Sequence, residues 1–436
     1  MSWSATLSLY GVLLLIGLAS GLNIGAVIGL VGIFGITLAA GTDLWPTLGD
    51  IIWNTGTNFT LVSIPLFVLM GEIILRSGIA TRFYSGVAIL LRYLPGGLAQ
   101  TNIVGCAIFS AIAGSSVATA MTVGTVAVPE MRKRGYADRL TIGTLTGGGC
   151  LGILIPPSIP LIVYSSMTQV SVIDLFIAGI VPGLTLALIF MIYVAVVVWM
   201  RPELVPQTTP RPVAGKEVAR ALWDAMPVLA LIVAVVGSMY MGVVTPTEAA
   251  ALGSSLALLL ALAYRQFNIE RMKEALSNAA ITSGVIMFIT VNAQVLNFAM
   301  VSSGLGEELA QWLLSLGLSP FSFFCLLLVI YLIVGIFVDG LSIMLLTVPL
   351  LYSSFIALGF DPIWVGILIV IFIELGALTP PMGLNLFAVQ SILSDTTLGD
   401  VAWASAPYAV LIVAFVFLLY FVPELVLWLP AQMKAG

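Results

Sequence analysis

Two places in this chain interrupt an apolar run with residues that leave backbone oxygen unpaired. Gly147-Gly148-Gly149, Gly152 and Pro156-Pro157 break one apolar segment, and Gly376 with Pro380-Pro381 breaks another. Proline offers no N–H to the carbonyl four residues back, so these pairs are expected to free the carbonyls of Gly152, Ile153, Gly376 and Ala377. In hydrocarbon a bare carbonyl needs a partner, and a hard cation such as sodium, held by several oxygens, is one that fits. Small and hydroxyl-bearing residues accompany each break. Gly114-Ser115-Ser116, Thr119 and Thr122 precede the first, while Asp339-Gly340 precedes the second, with Glu374, Thr379 and Asn385 around it. Hydroxyls there can ligate an ion or a carboxylate, although Ser and Thr in membrane helices more often bond their own backbone. Asp339 reads as a cation ligand or as a solvated turn residue. Glu374 reads as a proton carrier or as a neutralised partner of a neighbouring polar group. Asn385 can orient a substrate or bond across helices.

The elements that carry these residues are membrane elements. Of 436 residues, 60% are hydrophobic and 8% charged, where a soluble domain carries roughly 25% charged residues. With a mean hydropathy of +1.16, the chain is a polytopic integral membrane protein. Its apolar stretches run to about 20 residues, the length of a helical span, and lack the alternation of a membrane barrel. The fold class is therefore all-α. Histidine is absent, which excludes His-dependent catalysis and His ligation of zinc or haem. Cys106, Cys150 and Cys325 lie apart in apolar stretches and read as small hydrophobes. No Walker loop is present, so ATP hydrolysis is not expected, and nucleic acid is not an expected partner. An intramembrane enzyme would need a Ser-Lys or paired-aspartate centre, and neither is evident. No Lys or Arg precedes Arg76, so the first apolar stretch lacks the basic start of a signal peptide and is expected to stay as a span.

The apolar pattern runs through residues 1–200, pauses at a polar linker, 201–223, and restarts over 224–436. The halves match in order. Gly135-Tyr136 precedes Pro156-Pro157 by the interval that separates Gly359-Phe360 from Pro380-Pro381, and Ser77-Gly78-Ile79 corresponds to Ser303-Gly304-Leu305. Charge separates the copies: the loop at 76–92 carries Arg76, Arg82 and Arg92, while its counterpart at 303–319 carries Glu307 and Glu308. By the positive-inside rule, matched loops lie on opposite sides, so the repeats are inverted. That requires an odd number of crossings, about five per half, with residues 97–130 and 320–356 entering and leaving as re-entrant hairpins. Broken helices then span 140–167 and 363–391, the linker is cytoplasmic, and both termini are external. The loop near 394–400 fits poorly, since it should be cytoplasmic yet holds Asp395, Asp400 and no base. Inverted repeats with matched breaks are the signature of a secondary transporter.

Other features read as structural. Glu72 and Arg76 form an i,i+4 pair. Thr245-Pro246-Thr247-Glu248 is a capping box. Arg132, Lys133 and Arg134 set topology.

In this order, the stretches GSSVATAMTVGTVAVPEMRKRGY at 114–136, LGILIPPSIPLIVY at 151–164, TPTEAAA at 245–251 and ELGALTPPMGLNLF at 374–387 resemble the DctM-like large membrane subunit of tripartite ATP-independent periplasmic (TRAP) transporters. The resemblance covers essentially the whole chain. It implies an elevator-type transporter in a bacterial inner membrane that imports an organic acid, such as a C4-dicarboxylate or sialic acid, on a sodium gradient. It implies two partners, a small four-helix membrane subunit, expected on a separate chain, and a periplasmic substrate-binding protein. No cofactor is implied beyond the coupling sodium ions. Carried over by position, Ser115, Ser116 and Thr119 with Gly152, Ile155 and Pro157 would form one sodium site, and Asp339 and Gly340 with Gly376, Thr379 and Pro381 the other. Substrate would lie between the hairpin tips, near Ser115, Ser116 and Asn385. A standalone sodium–carboxylate symporter and, in a different class, an ion channel remain as alternatives.

Overall fold

The computed structural model describes residues 3–206, 214–265, 267–381, 383–393 and 395–435. Residues 207–213, the middle of the linker, lie outside the described residues, as does Met382 beside the second break. Among the described residues the chain is helical throughout, with no strand. In order the helices are α1 (Trp3–Ala19), α2 (Ile24–Ala40), α3 (Pro46–Gly56), α4 (Phe59–Arg76), α5 (Ile79–Leu90), α6 (Leu98–Ala113), α7 (Ser116–Lys133), α8 (Asp138–Gly149), α9 (Ile159–Thr168) and α10 (Val172–Met200). The second half contains α11 (Gly215–Tyr240), α12 (Pro246–Ala263), α13 (Ile269–Ser302), α14 (Leu305–Ser315), α15 (Pro320–Gly335), α16 (Gly340–Ala357), α17 (Pro362–Ala377), α18 (Leu384–Ile392), α19 (Leu398–Phe421) and α20 (Glu424–Ala435). Seven of them (α4, α10, α11, α12, α13, α16 and α19) are long and apolar enough to cross a membrane by length and composition. This is a multi-pass membrane protein.

The same succession occurs twice: an amphipathic helix (α5, α14), a helix pair joined at a tight tip (α6–α7, α15–α16), and a helix interrupted midway (α8–α9, α17–α18). Local geometry repeats as well. Gly78 and Gly304, each preceding an amphipathic helix, have φ of 74° and 68°, and both Pro156-Pro157 and Pro380-Pro381 are joined by cis peptide bonds.

The halves are not packed as separate bodies. Gly25, Gly29, Gly32 and Gly35 line the face of α2 that meets α13, and a Cβ on Gly32 would lie 2.7 Å from the backbone nitrogen of Leu296. Small residues at this spacing let two helices approach until backbone meets backbone, a common device in membranes. Similarly, Gly86 of α5 sits on Ala221 of α11, where an added Cβ would be 2.7 Å from the carbonyl oxygen. Thr247, inside the capping box that starts α12, donates to the carbonyl of Phe59 at 2.8 Å.

Two expectations need correction. The stretches 76–92 and 303–319, read as charged loops, are largely helix. In α5, Ile79, Ala80, Phe83, Tyr84 and Val87 are buried while Arg82 points outward, a 3–4 spacing that makes one apolar face. The Glu72–Arg76 pair is not isolated either: Arg76 Nε also lies 3.4 Å from Glu274 Oε2 of α13.

Candidate functional site

The first break is shorter than the sequence pattern implies. Gly147-Gly148-Gly149 remain helical at the end of α8, and the chain leaves the α-helix only at Cys150, through a 3-10 turn at Cys150–Ile153. The glycines are seats for close packing: a Cβ on Gly147 would meet the Tyr408 ring at 2.2 Å, and one on Gly149 would meet Ala120 at 2.9 Å.

The hairpin tip lies directly on this break. Gly114 ends α6 with φ 58°, a left-handed conformation that glycine adopts without strain, and Ser115 caps α7. The Ile159 N–H at the start of α9 donates to the Gly114 carbonyl at 3.4 Å. A Cβ on Gly152 would sit 2.5 Å from Ser116 Cα and 2.7 Å from the Ser115 carbonyl oxygen, and one on Gly114 would be 3.0 Å from the Pro157 carbonyl oxygen. Ser115, Ser116, Gly152 and Pro157 are thus brought together. Thr119, one turn into α7, is fully buried, and its hydroxyl has no partner among the described residues. Ile155 is buried too, but its side chain packs on Gly183 of α10.

The second break repeats the arrangement with different contacts. Gly376, near the end of α17, meets Gly335, the end of α15, so closely that a Cβ on Gly335 would be 2.8 Å from Gly376 Cα. Gly340 lies against Ile373. Asp339 caps α16, accepting from the Ser342 N–H at 3.1 Å and the Ser342 hydroxyl at 2.6 Å. The Thr379 hydroxyl donates back to the Leu375 carbonyl at 2.7 Å. Pro380 and Pro381 are exposed.

Of the four carbonyls expected to be freed, two are taken up locally. Ile153 O accepts from the Ser158 hydroxyl, and Gly376 O accepts from the Thr379 N–H at 3.0 Å. Each proline-broken turn partly recloses through the next available donor. A carbonyl keeps a second lone pair, so both oxygens can still face an ion.

Between the breaks lies a polar cluster drawn from both halves. Glu374 is only 2% exposed, and its Oε2 accepts from Asn385 Nδ2 at 3.2 Å. The same nitrogen lies 3.6 Å from Cys150 Sγ, and the Ser116 and Cys150 side chains border the carboxyl. Glu374 Oε1 and Asn385 Oδ1 have no partner among the described residues. Asn385 is fully buried, so in this conformation it holds Glu374 rather than facing open space. The partner that the sequence could not name for Glu374 is Asn385. Cys150, read as a plain hydrophobe, is the residue missed; its only sequence signal is its place directly after the glycine run.

The poorly fitting acidic loop is also explained. Arg132 binds both carboxylate oxygens of Asp138 at 2.9 Å and reaches Asp395 at 2.9 Å. The guanidinium holds the Asp395 carboxyl below the usual carboxylate range. Asp395 therefore lies on the same side as the basic cluster and pairs with Arg132, while Asp400 caps α19 with Thr397.

No group of three or more Cys, Asp or Glu side chains able to hold a metal occurs among the described residues. The oxygens at the breaks are mostly backbone and hydroxyl oxygens, with the carboxylates of Asp339 and Glu374 beside them.

A multi-pass membrane permease in which paired helix tips meet interrupted helices is the class these features define. The chain belongs to the family described as "Tripartite ATP-independent periplasmic transporter, DctM component", whose description matches residues 11–425. It is 34% identical over 381 residues to the C4-dicarboxylate TRAP transporter large permease protein DctM of Pseudomonas aeruginosa, covering 87% of this chain and 88% of that one. It is 31% identical over 337 residues to the sialic acid TRAP transporter large permease protein SiaM of Vibrio cholerae, covering 77% and 78%. Among solved structures, the YdaH transporter of Alcanivorax borkumensis superposes with a TM-score of 0.62 at 14% identity, covering 87% of this chain and 88% of that one. That likeness concerns the fold alone. These relatives are transporter permeases, not enzymes.

Proposed function

We propose that this chain is the sodium-coupled permease subunit of a tripartite importer for a carboxylate-bearing small molecule. The observation that carries the reading is the pairing of each hairpin tip with its own helix break, Ser115-Ser116 on Gly152 and Gly335 on Gly376. At each pairing, backbone oxygens and the ends of short helices converge, an arrangement suited to a coupling ion. One sodium ion is assigned to Ser115, Ser116, Thr119, Gly152, Ile155 and Pro157, the second to Asp339, Gly340, Gly376, Thr379 and Pro381. The Asp339 carboxylate, engaged by Ser342, enters the second set through its backbone oxygen or after a change of rotamer.

The substrate class rests on two relatives named for C4-dicarboxylates and for sialic acid, both carboxylates. A binding protein on the external side would deliver the acid and a small membrane subunit would complete the assembly, with both inverted repeats lying in a bacterial inner membrane. The two breaks and their tips would move together past the remaining helices as an elevator.

Uptake of a labelled organic acid into proteoliposomes tests this. Transport that needs the small subunit, the binding protein and an inward sodium gradient supports the reading. Uptake by this chain alone makes it a standalone symporter, uptake indifferent to sodium removes the coupling, and large single-channel currents make it a channel.

A further inference from the structure

Away from both breaks, a cavity of about 230 Å³ opens between α8, α10 and α19. Its lining includes Arg139, Arg201, Tyr193 and Tyr408, whose side chains carry hydrogen-bond donors, with Leu204 and Pro407 among its apolar walls. Both arginines border the same cavity as Tyr193. Neither arginine forms an ion pair among the described residues. Two carboxylates lie beside Arg139 in a neighbouring depression, but Asp138 is engaged by Arg132 at 2.9 Å and Asp400 by the Thr397 hydroxyl at 2.7 Å.

Tyr408 is the second, independent pointer. It is 2% exposed, and its hydroxyl has no partner among the described residues. Its direction follows from the glycines beneath it. A Cβ on Gly147 would lie nearest Tyr408 Cδ1 and Cγ, at 2.2 and 2.6 Å, whereas one on Gly143 would be 2.9 Å from Cε2. The ring therefore runs along α8 from Gly147 past Gly143, toward Arg139 one turn further on. The Tyr408 ring forms part of the cavity wall, with its unpartnered hydroxyl covered in this conformation.

The position of the cavity says where its ligand comes from. α10 exposes Leu184, Leu188, Ile192 and Val196 in one stripe, a lipid-facing edge that ends at Trp199, 82% exposed, and then Arg201. Trp403, 75% exposed, stands near the start of α19. Indoles at this level mark the boundary between hydrocarbon and water. An anion held by two guanidiniums beside tyrosines, next to an exposed apolar stripe on α10, fits a phosphate carrying an acyl tail.

We propose that this cavity binds the phosphate of an anionic phospholipid from the leaflet on the side of Arg132, Lys133 and Arg134. Arg139 and Arg201 clasp the phosphate oxygens, and the Tyr408 hydroxyl donates to one of them. The lipid bridges α8 of the first half to α19 of the second, beside the Ser405–Thr146 hydroxyl contact at 2.7 Å. Nothing in this site depends on sodium coupling.

Native mass spectrometry of the full chain, released from detergent with defined lipids, tests the proposal. The wild type should retain phosphatidylglycerol in preference to phosphatidylcholine. R139Q/R201Q should weaken phosphatidylglycerol retention by about tenfold, and Y408F by less. K216Q/R220Q, exposed basic residues on α11 outside the cavity, should bind as the wild type does. Should the double variant fail to fold, R201Q and Y408F singly carry the same readout. Retention unchanged in R139Q/R201Q, or in both single variants, overturns the site. Displacement of phosphatidylglycerol by millimolar inorganic phosphate overturns the lipid assignment in favour of a soluble phosphate.

Discussion

The two helix breaks use nearly the same residues in the same order, yet one is sealed and the other open. From Gly149 to Ser166 every residue of the first break is buried, and the hairpin tip is pressed onto it backbone to backbone at Gly152. At the second break the glycine contact moves up to Gly335 and Gly376, while Pro380 and Pro381 are exposed and Leu384 is 46% exposed. The breaks differ in what covers each of them.

Gly152→Ala should have the largest effect. Its Cβ would fall 2.5 Å from backbone atoms of the tip, and neither element can give way without separating tip from break. Uptake should fall by well over tenfold, with the protein still eluting as a folded species on size exclusion. Gly376→Ala meets Gly335 Cα at 3.0 Å, a smaller clash at a more open site, and should leave measurable uptake. Equal losses would remove the distinction between the breaks.

Glu374→Leu is next. It deprives the buried Asn385 amide of its acceptor, a loss of about 1–3 kcal/mol that should lower the thermal unfolding midpoint. Glu374→Gln keeps an oxygen for the amide and should lower it less. An aqueous maleimide sharpens the comparison without a stability readout: Leu384→Cys should label readily, whereas the buried native Cys106 and Cys150 should not.

The smallest effect is expected at Arg132→Gln. Asp138 and Asp395 are both accessible to water, which screens pairs of this kind and leaves them little net effect. Because Asp395 is held below its ordinary range by Arg132, the contact stabilises the fold above the usual carboxylate pKa and is lost only as pH falls through the lowered value. Stability of the variant and of the wild type should therefore converge in strong acid and differ slightly at neutral pH.

Much of this was legible in the sequence because proline, glycine and charge act locally. The paired Pro-Pro breaks, the tip at Gly114-Ser115, the Thr245 capping box and the doubled succession of elements all follow from short-range rules. What escaped depends on partners distant in sequence. The Gly147–Gly149 run was read as part of the break, but Tyr408, Cys106 and Ala120 need the missing side chains in order to pack, so the helix continues. Cys150 acquires polar meaning only through Asn385, and the acid at Asp395 makes sense only beside Arg132. The helices α5 and α14 are hidden in the sequence by the charges on their polar faces, which sit between the buried positions of the apolar ones.

The central claim, one sodium site at each break, is tested most directly by equilibrium binding of radioactive sodium to the purified chain. The account predicts that S115A/S116A removes one component of binding and that Thr379→Ala weakens another, each leaving the remainder in place. Sodium binding by both variants that matches the wild type would contradict it.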